Sequence, residues 1–405
     1  KVKAKLPLRD GLAQLGNQLK SIGRALFKPG FEHNTGLPGF LRKLAGNFCA
    51  AQKRVWALAV FRIMGNACMA LNVQLVVVDP QRALQQALDA ISKKYKTTAT
   101  VGNLNNHIGI PLTILRIPMD TEMAIIEMGA NHLKEIESYC SYTLPTHGMI
   151  TNCGKAHLEG FGGVEGVKKG KGELFDFLRA NNGTVFLMED FDYLVEMAQG
   201  IQDVIAYGKE QGQIQGEAID QNGMLSVQFK KGIDIASIQT HLVGNFNLPN
   251  VLAAVTIGQY FKVPNEKIKS AIEDYVPTNS RSQLLTWNNN EVILDAYNAN
   301  PSSMKLAVEN FAKINKDNKI VCLGGMRELG VDTLMEHQML IDQLKQTNWE
   351  QVILVGSEFK PCAHSYLFFD TVVEAKAWLV AQQLKGYTLL IKGSRGIQME
   401  QLIAP

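Results

Sequence analysis

From about residue 74 onward the chain repeats one local pattern: a short apolar run, a glycine-rich or polar turn, and an amphipathic helical stretch. QLVVVD, AIIEMGA, HGMITNC, TVFLMED and DVIAYG are the apolar runs, and ALQQALDAISKKY and VEGVKKGKGELFDFL are helical stretches between them. Runs apolar on both faces suit strands buried in a parallel sheet, whose neighbours are joined by helical crossovers. The pattern predicts an α/β fold. GMLSVQFKKGIDIASIQTHLVG then alternates apolar and polar residues, which predicts antiparallel strands added to that sheet. NLPNVLAAVTIGQYF and NEKIKSAIEDY read as two helices, and VPTNSRSQ interrupts the pattern with Pro and Ser. After the interruption the alternation restarts with EVILDAYN, SSMKLAVENFAKI, KIVCLGGM, TLMEHQMLIDQLKQ, QVILVGSEF, VVEAKAWLVAQQL and YTLLIKGSRG. Three regions follow: an N-terminal unit at 1–79, a central parallel-sheet unit at 80–276 and a second α/β unit at 277–405.

Composition narrows the function classes. With 405 residues, 46% hydrophobic and 20% charged, the chain has the balance of an ordinary globular protein. Its six cysteines, at 49, 68, 140, 153, 322 and 362, form no C-x-x-C pair, which predicts reduced thiols. The most apolar stretch, IMGNACMALNVQLVVV at 63–78, is too short for a bilayer span and carries Asn and Gln. Lys1–Lys5 leads into amphipathic sequence and not into the apolar run of a secretory leader, so a cytoplasmic protein without membrane insertion is expected. Residues 1–54 carry eleven Lys or Arg against Asp10 and Glu32, a local balance of +9 within a chain of net +3. A basic arm of this kind attracts polyanions or is simply a solvated surface. No nucleic-acid motif and no aromatic interleaving accompany it, so no nucleic-acid partner is expected.

In open α/β sheets, ligands bind at the carboxyl ends of the strands. The chain places GANH, GKAHLEG, NANPSS, GMREL and GSRG after strand-like runs. Glu127 ends an apolar strand, where an acid is either paired with a cation or offered to a hard cation such as Mg²⁺. His157 lies in the glycine-rich TNCGKAHLEGFGG turn, and its C-x-x-x-H spacing from Cys153 has no second pair that would make a zinc site. Lys171 sits in KKGKGEL on the following helix, where a lysine is a solvated charge or faces a phosphate. The polar groups of DAYNANPSSM either cap the next helix or meet a nucleotide. Lys392, Ser394 and Arg395 in IKGSRG form a set suited to a carboxylate or phosphate.

GNLNNHIGIPLTIL, EMGAN, TNCGKAHLEGFGGVEGVKKGKGELFDFL, GNFNLPNVLAA, RSQ, DAYNANPSSM, LGGMRELG and IKGSRG, taken in this order, resemble the Mur ligase family over roughly residues 74–405. Within it they resemble most the branch that adds D-alanyl-D-alanine to UDP-N-acetylmuramoyl-tripeptide. The related folylpolyglutamate synthases fit DAYNANP less well. The resemblance implies an enzyme of three domains: an N-terminal one, divergent here, for the UDP end, a central one for ATP and a C-terminal Rossmann-like one that closes over the cleft; nothing in the sequence suggests more than a monomer. It would activate the tripeptide carboxylate as an acyl phosphate, which the dipeptide amine then attacks. Carried over by motif, Glu127, His157 and Lys171 would be the catalytic and Mg²⁺-binding set, with Lys171 carbamylated. Asn247, Asn250, Arg281, Asp295, Asn298 and Asn300 would meet ATP. Asn105 and Asn106 would face the UDP-substrate or the nucleotide, and Lys392, Ser394 and Arg395 the incoming peptide.

One motif of the family is missing. Its glycine-rich phosphate loop ends in G-K-T-T, whereas the G-K triplets here are GKA, GKG and GKE. LVVVDPQRALQQAL runs directly into DAISKKYKTTATVG, so the strand, loop and helix start are read as deleted between about Leu88 and Ile91. The alternative this raises is an inactive homologue that binds nucleotide-sugar-peptide without ATP turnover. In the first 73 residues, SIGRALFKPG is a worn match to the family's uridine domain, with Arg24 the one residue offered there.

Overall fold

The computed structural model describes residues 73–78, 89–155, 158–221, 223–277 and 280–404. Arg24 and His157 lie outside the described residues.

The described residues build two sheets. The first consists of β1 (Val73–Val78), β2 (Thr97–Ala99), β3 (Met123–Met128), β4 (His147–Ile150), β5 (Thr184–Met188), β6 (Asp203–Gly208), β7 (Ile214–Gln221), β8 (Met224–Lys231) and β9 (Ser237–Val243). Their order is β2-β3-β1-β4-β5-β6-β7-β8-β9. Neighbours from β2 to β7 are parallel, and β8 and β9 are added antiparallel, as the alternating sequence there predicts. Its helices are α1 (Gly109–Leu115), α2 (Glu135–Thr143), α3 (Leu158–Phe161), α4 (Val164–Ala180), α5 (Asp192–Met197), α6 (Leu248–Tyr260) and α7 (Asn265–Glu273). The second sheet, in the order β10-β11-β15-β12-β13-β14, contains β10 (Gln283–Trp287), β11 (Asn290–Asp295), β12 (Lys319–Gly324), β13 (Gln351–Val355), β14 (Leu367–Phe369) and β15 (Thr388–Lys392). Only β10 runs antiparallel to its neighbour in this sheet. Its helices are α8 (Pro301–Lys313), α9 (Thr333–Leu344) and α10 (Val372–Ala381).

The packing follows from the side chains. Helix α6 is apolar almost all round, and Val251 through Val255 and Ile257 are buried where it lies against β5, β6 and β7. Gly148 in β4 lets α4 approach, since a Cβ there would stand 2.5 Å from Leu178 Cδ1. The buried Glu173 of α4 accepts hydrogen bonds from the backbone N–H groups of Lys134 (2.5 Å) and Glu137 (2.9 Å). A carboxylate thus meets the positive end of α2 and satisfies donors that a helix start leaves free.

The structure corrects the sequence reading at β1. Val73–Val78, read from sequence as a buried parallel strand but placed within the N-terminal unit, pairs with β3 and β4 in the middle of the first sheet. The strand read as deleted therefore has an occupant, because VQLVVV is apolar enough to be buried on both faces. Residues 79–88 lie outside the described residues. Among the described residues no helix is long and apolar enough to cross a membrane.

Candidate functional site

The carboxyl edges of the two sheets border a cleft of about 340 Å³. One wall is Thr151–Gly154 after β4, Phe191 and Tyr193 after β5, and Phe246, Pro249 and Asn250 at the start of α6. The other is Arg281, Asp295, Tyr297, Asn298, Asn300 and Lys392, with Ser302, Ser303 and Leu306 of α8. Parallel strands send all their following loops to one edge, which is why residues far apart in sequence meet here.

Asp295 and Lys392 are register partners on β11 and β15. The Lys392 ammonium, whose side chain is 2% exposed, donates to Asp295 Oδ2 at 2.6 Å and to the Asn298 carbonyl at 3.3 Å. Asp295 Oδ1 accepts from the Ser282 N–H at 2.8 Å, so both carboxylate oxygens are held. Arg281 lies between Ser280 (φ 57°) and Ser282 (φ 45°), both in the left-handed region that non-glycine residues rarely occupy. Ser282 is tied to Asp295, and the Ser280 carbonyl accepts from the Tyr297 N–H at 3.2 Å. This strained turn is thereby fixed to the loop after β11, and strain of this kind concentrates at functional sites. The Arg281 guanidinium stands over the Tyr297 ring, 3.7 Å from its centroid.

Across the cleft, Phe191 and Tyr193 are stacked, with centroids 5.6 Å apart and planes at 12°. Tyr193 Oη accepts from the Cys153 N–H at 3.3 Å, and burial pushes its phenol up to about 12, so it stays neutral. Asn250 lines the cleft, and its amide donates to Asn247 Oδ1 at 3.2 Å. Asn247 itself is buried at 1% exposure, with its amide donating to the Val243 and Gly244 carbonyls. It is a support for Asn250 and not a lining residue, which corrects the expectation.

Several other expected residues serve the backbone. Asn300 is the N-cap of α8 and forms a capping box with Ser303. Asn298 Oδ1 accepts from the Ala299 N–H at 2.8 Å. Ser394, 4% exposed, accepts from the Arg327 N–H at 3.1 Å and donates to the Ala299 carbonyl at 3.4 Å. Asn106 Oδ1 accepts from the Ile108 and Gly109 N–H groups at the start of α1. Asn105 donates to Glu127 Oε1 at 2.6 Å. Neither Asn105 nor Asn106 lines the cleft. Arg395 is exposed and borders an adjoining recess of about 110 Å³, which shares Asn298 and Asn300 with the cleft.

Glu127 is half-buried near the end of β3, and its N–H donates to Thr100 Oγ1 at 2.9 Å. Lys171, 5% exposed, donates to the Asn152 carbonyl at 2.8 Å. Among the described residues no group of three or more His, Cys, Asp and Glu gathers around a metal-sized space. Cys140, Cys153, Cys322 and Cys362 are free thiols, as the spacing predicts. Sequence reasoning passed over Tyr297, Phe191, Tyr193 and Lys155. The Lys155 ammonium lies 2.6 Å from Oε1 of Glu336, which is 4% exposed on α9, and joins the first unit to the second. The signal for Tyr297 was its place inside DAYNANP; the other three carry no local signature.

The family profile described as the Mur ligase middle domain matches residues 82–258, and the one described as the Mur ligase glutamate ligase domain matches residues 280–395. The UDP-N-acetylmuramoyl-tripeptide–D-alanyl-D-alanine ligase of Haemophilus influenzae is 30% identical over 316 residues, covering 75% of this chain and 68% of the relative. A crystal structure of MurF from Acinetobacter baumannii superposes with a TM-score of 0.76 at 25% identity, covering 85% of this chain and 79% of that one. The MurF ligase of Thermotoga maritima in complex with ADP superposes with a TM-score of 0.76 at 20% identity, over 85% of this chain and 82% of that one, a likeness of fold.

Proposed function

The chain belongs to the Mur ligase family, and on that premise we propose that it joins D-alanyl-D-alanine to UDP-N-acetylmuramoyl-tripeptide at the expense of ATP. The observation that carries this reading is the convergence of Asn250, Arg281, Asp295 and Lys392 on one cleft between two α/β units. In the proposed reaction the tripeptide carboxylate attacks the terminal phosphorus of ATP and ADP leaves. The dipeptide amine then attacks the acyl carbon, loses its proton, and expels phosphate.

Each role follows from the contacts. Asn250, steadied by Asn247, presents an amide to the base, and the Phe191–Tyr193 pair offers it a flat wall. Asp295 is a fixed acceptor for ribose hydroxyls, since Ser282 and Lys392 hold its carboxylate. Arg281 is stacked on Tyr297, which leaves the guanidinium edge for phosphate charge. Arg395, with Lys392 and Ser394 anchoring its loop, meets the carboxylate of the dipeptide. Asn105 holds Glu127, and Asn106, Asn298 and Asn300 shape the loops beside them.

Magnesium fits this chain at Glu127, whose half-buried carboxylate is a hard oxygen donor at the carboxyl end of a central strand. His157 and Lys171, the latter carbamylated into an anion, would complete the holding set. The ion would supply charge neutralisation at the phosphates. We read the chain as a cytoplasmic monomer with a substrate-binding unit before Val73, a nucleotide unit running from β1 to residue 276 and a closing unit at 277–405.

The test is phosphate release with ATP, UDP-N-acetylmuramoyl-tripeptide and D-alanyl-D-alanine, each omitted in turn. Phosphate should appear only with all three, in equal amount to UDP-pentapeptide measured by mass spectrometry, and Arg281→Ala should slow it about 100-fold. A second reading, favoured by the absence of any G-K-[ST] triplet, is a binder of nucleotide-sugar-peptide without turnover. UDP-peptide binding by calorimetry with no phosphate release would establish it in place of the ligase.

A further inference from the structure

Two arginines that belong to different cavities meet on one aromatic ring. Arg281 lines the larger cleft and lies 3.7 Å from the Tyr297 centroid. Arg395 lines the smaller recess and lies 5.2 Å from the same centroid. Among the described residues neither guanidinium has a carboxylate or hydrogen-bond partner, although ion pairs are common elsewhere in the chain. Two like charges converging without an anion repel each other, and the attraction of the ring face for each offsets that repulsion. A stacked guanidinium also keeps its N–H fork free in its own plane, ready for a planar or tetrahedral anion. Tyr297 is itself held, because its N–H is tied to the Ser280 carbonyl in the strained turn that carries Arg281.

We propose that Tyr297 is a positioning residue that sets the spacing of two anion sites, one at Arg281 and one at Arg395. This rests on the ligase reading, in which the anions are a nucleotide phosphate and the carboxylate of the incoming dipeptide. The ring touches neither reacting atom. It fixes the two guanidinium groups against one reference plane, so the phosphoryl group and the attacking dipeptide arrive in register. Loss of the ring then weakens both ligands together, although each contacts a different arginine.

The experiment compares the full-length protein with Tyr297→Phe and Tyr297→Leu. Tyr297→Leu should raise KM for ATP and KM for D-alanyl-D-alanine together, each about tenfold, with kcat and KM for the UDP-peptide changing less. Tyr297→Phe, which keeps the ring, should rescue both. A rise in only one KM, or a Phe variant as impaired as the Leu variant, overturns the proposal. Arginine side-chain Nε–Hε resonances supply a readout independent of turnover: the ring current should displace two of them, and Tyr297→Leu should abolish both displacements. If neither resonance moves, the proposal fails even in an active enzyme. If both move in a chain that releases no phosphate, the ligase reading fails while the ring's hold on the pair stands. Tyr297→Met takes the place of Tyr297→Leu should the latter not fold.

Discussion

Lys392 is the residue whose loss should be felt most in stability. Its ammonium has left water almost completely and is compensated chiefly by Asp295 at 2.6 Å. Removing one partner of such a pair strands the other charge, at a cost of about 3 kcal/mol, whereas removing both restores much of it. Lys392→Met should therefore lower the urea midpoint strongly, and adding Asp295→Asn should recover a large part of the loss. Additive losses in that cycle would rule the coupling out. The sequence brought both residues forward but as ligand contacts, since a lysine after a strand gives no sign of its partner 97 positions earlier. The same limit hid the Phe191–Tyr193 stack and the tie between Asn247 and Asn250. Small polar residues near helix starts were legible as important, yet Asn300, Ser394 and Asn106 turned out to bond the backbone, the competing use of such side chains.

Among the elements, β4 and α6 meet through aromatic rings. His147, the first residue of β4, stacks 6.1 Å from Phe186 and packs edge-on to Tyr260 and tilted to Phe261 at the end of α6. Burial pushes its imidazole down to about 4, against a weaker upward pull from Asp203. The unfolded chain takes up a proton near pH 6.5, while the folded chain does not until about pH 4. Stability contributed here is present above pH 6.5 and is lost as pH falls towards 4, by about 3 kcal/mol at most. Denaturation midpoints measured across that window should fall with pH, and His147→Gln should flatten the slope. An unchanged slope would place the titration elsewhere. Buried parallel strands were the most legible elements, because a continuous apolar run has few other readings. The three-residue strands β2 and β14 were not, being half-exposed and too short to show a period. Strand β10 sits beside the Ser-rich interruption and exposes Leu284, which masks its alternation.

For the whole molecule, the Lys155–Glu336 pair is one of the contacts that join the two units, beside the packing of Val243 and Met224 against the core of the second. It links the turn after β4 to α9, and α9 is in turn fixed to the GGMREL loop by His337. The His337 Nε2 accepts from the Met326 N–H at 2.9 Å, and Nδ1–H donates to the Thr333 carbonyl at 2.6 Å. Burial keeps this imidazole neutral by lowering its pKa. Lys155 is partly exposed, so its loss costs less than a fully buried pair would, about 1.4 kcal/mol, a tenfold shift towards an open arrangement. Small-angle scattering of Lys155→Met should show a larger radius of gyration without ligand, and Lys155→Met with Glu336→Gln should reverse it. Equal radii would show that other contacts set the closure. The cleft between these units also has a pharmacological side. Its aromatic end, made of Asn250, Phe191 and Tyr193, is built by the first unit alone, while the charged end depends on the second. A flat, uncharged heterocycle filling the first end would keep its contacts as the units part, so its affinity would be largely indifferent to closure. A phosphate-bearing inhibitor would lose its grip on Arg281 with every opening.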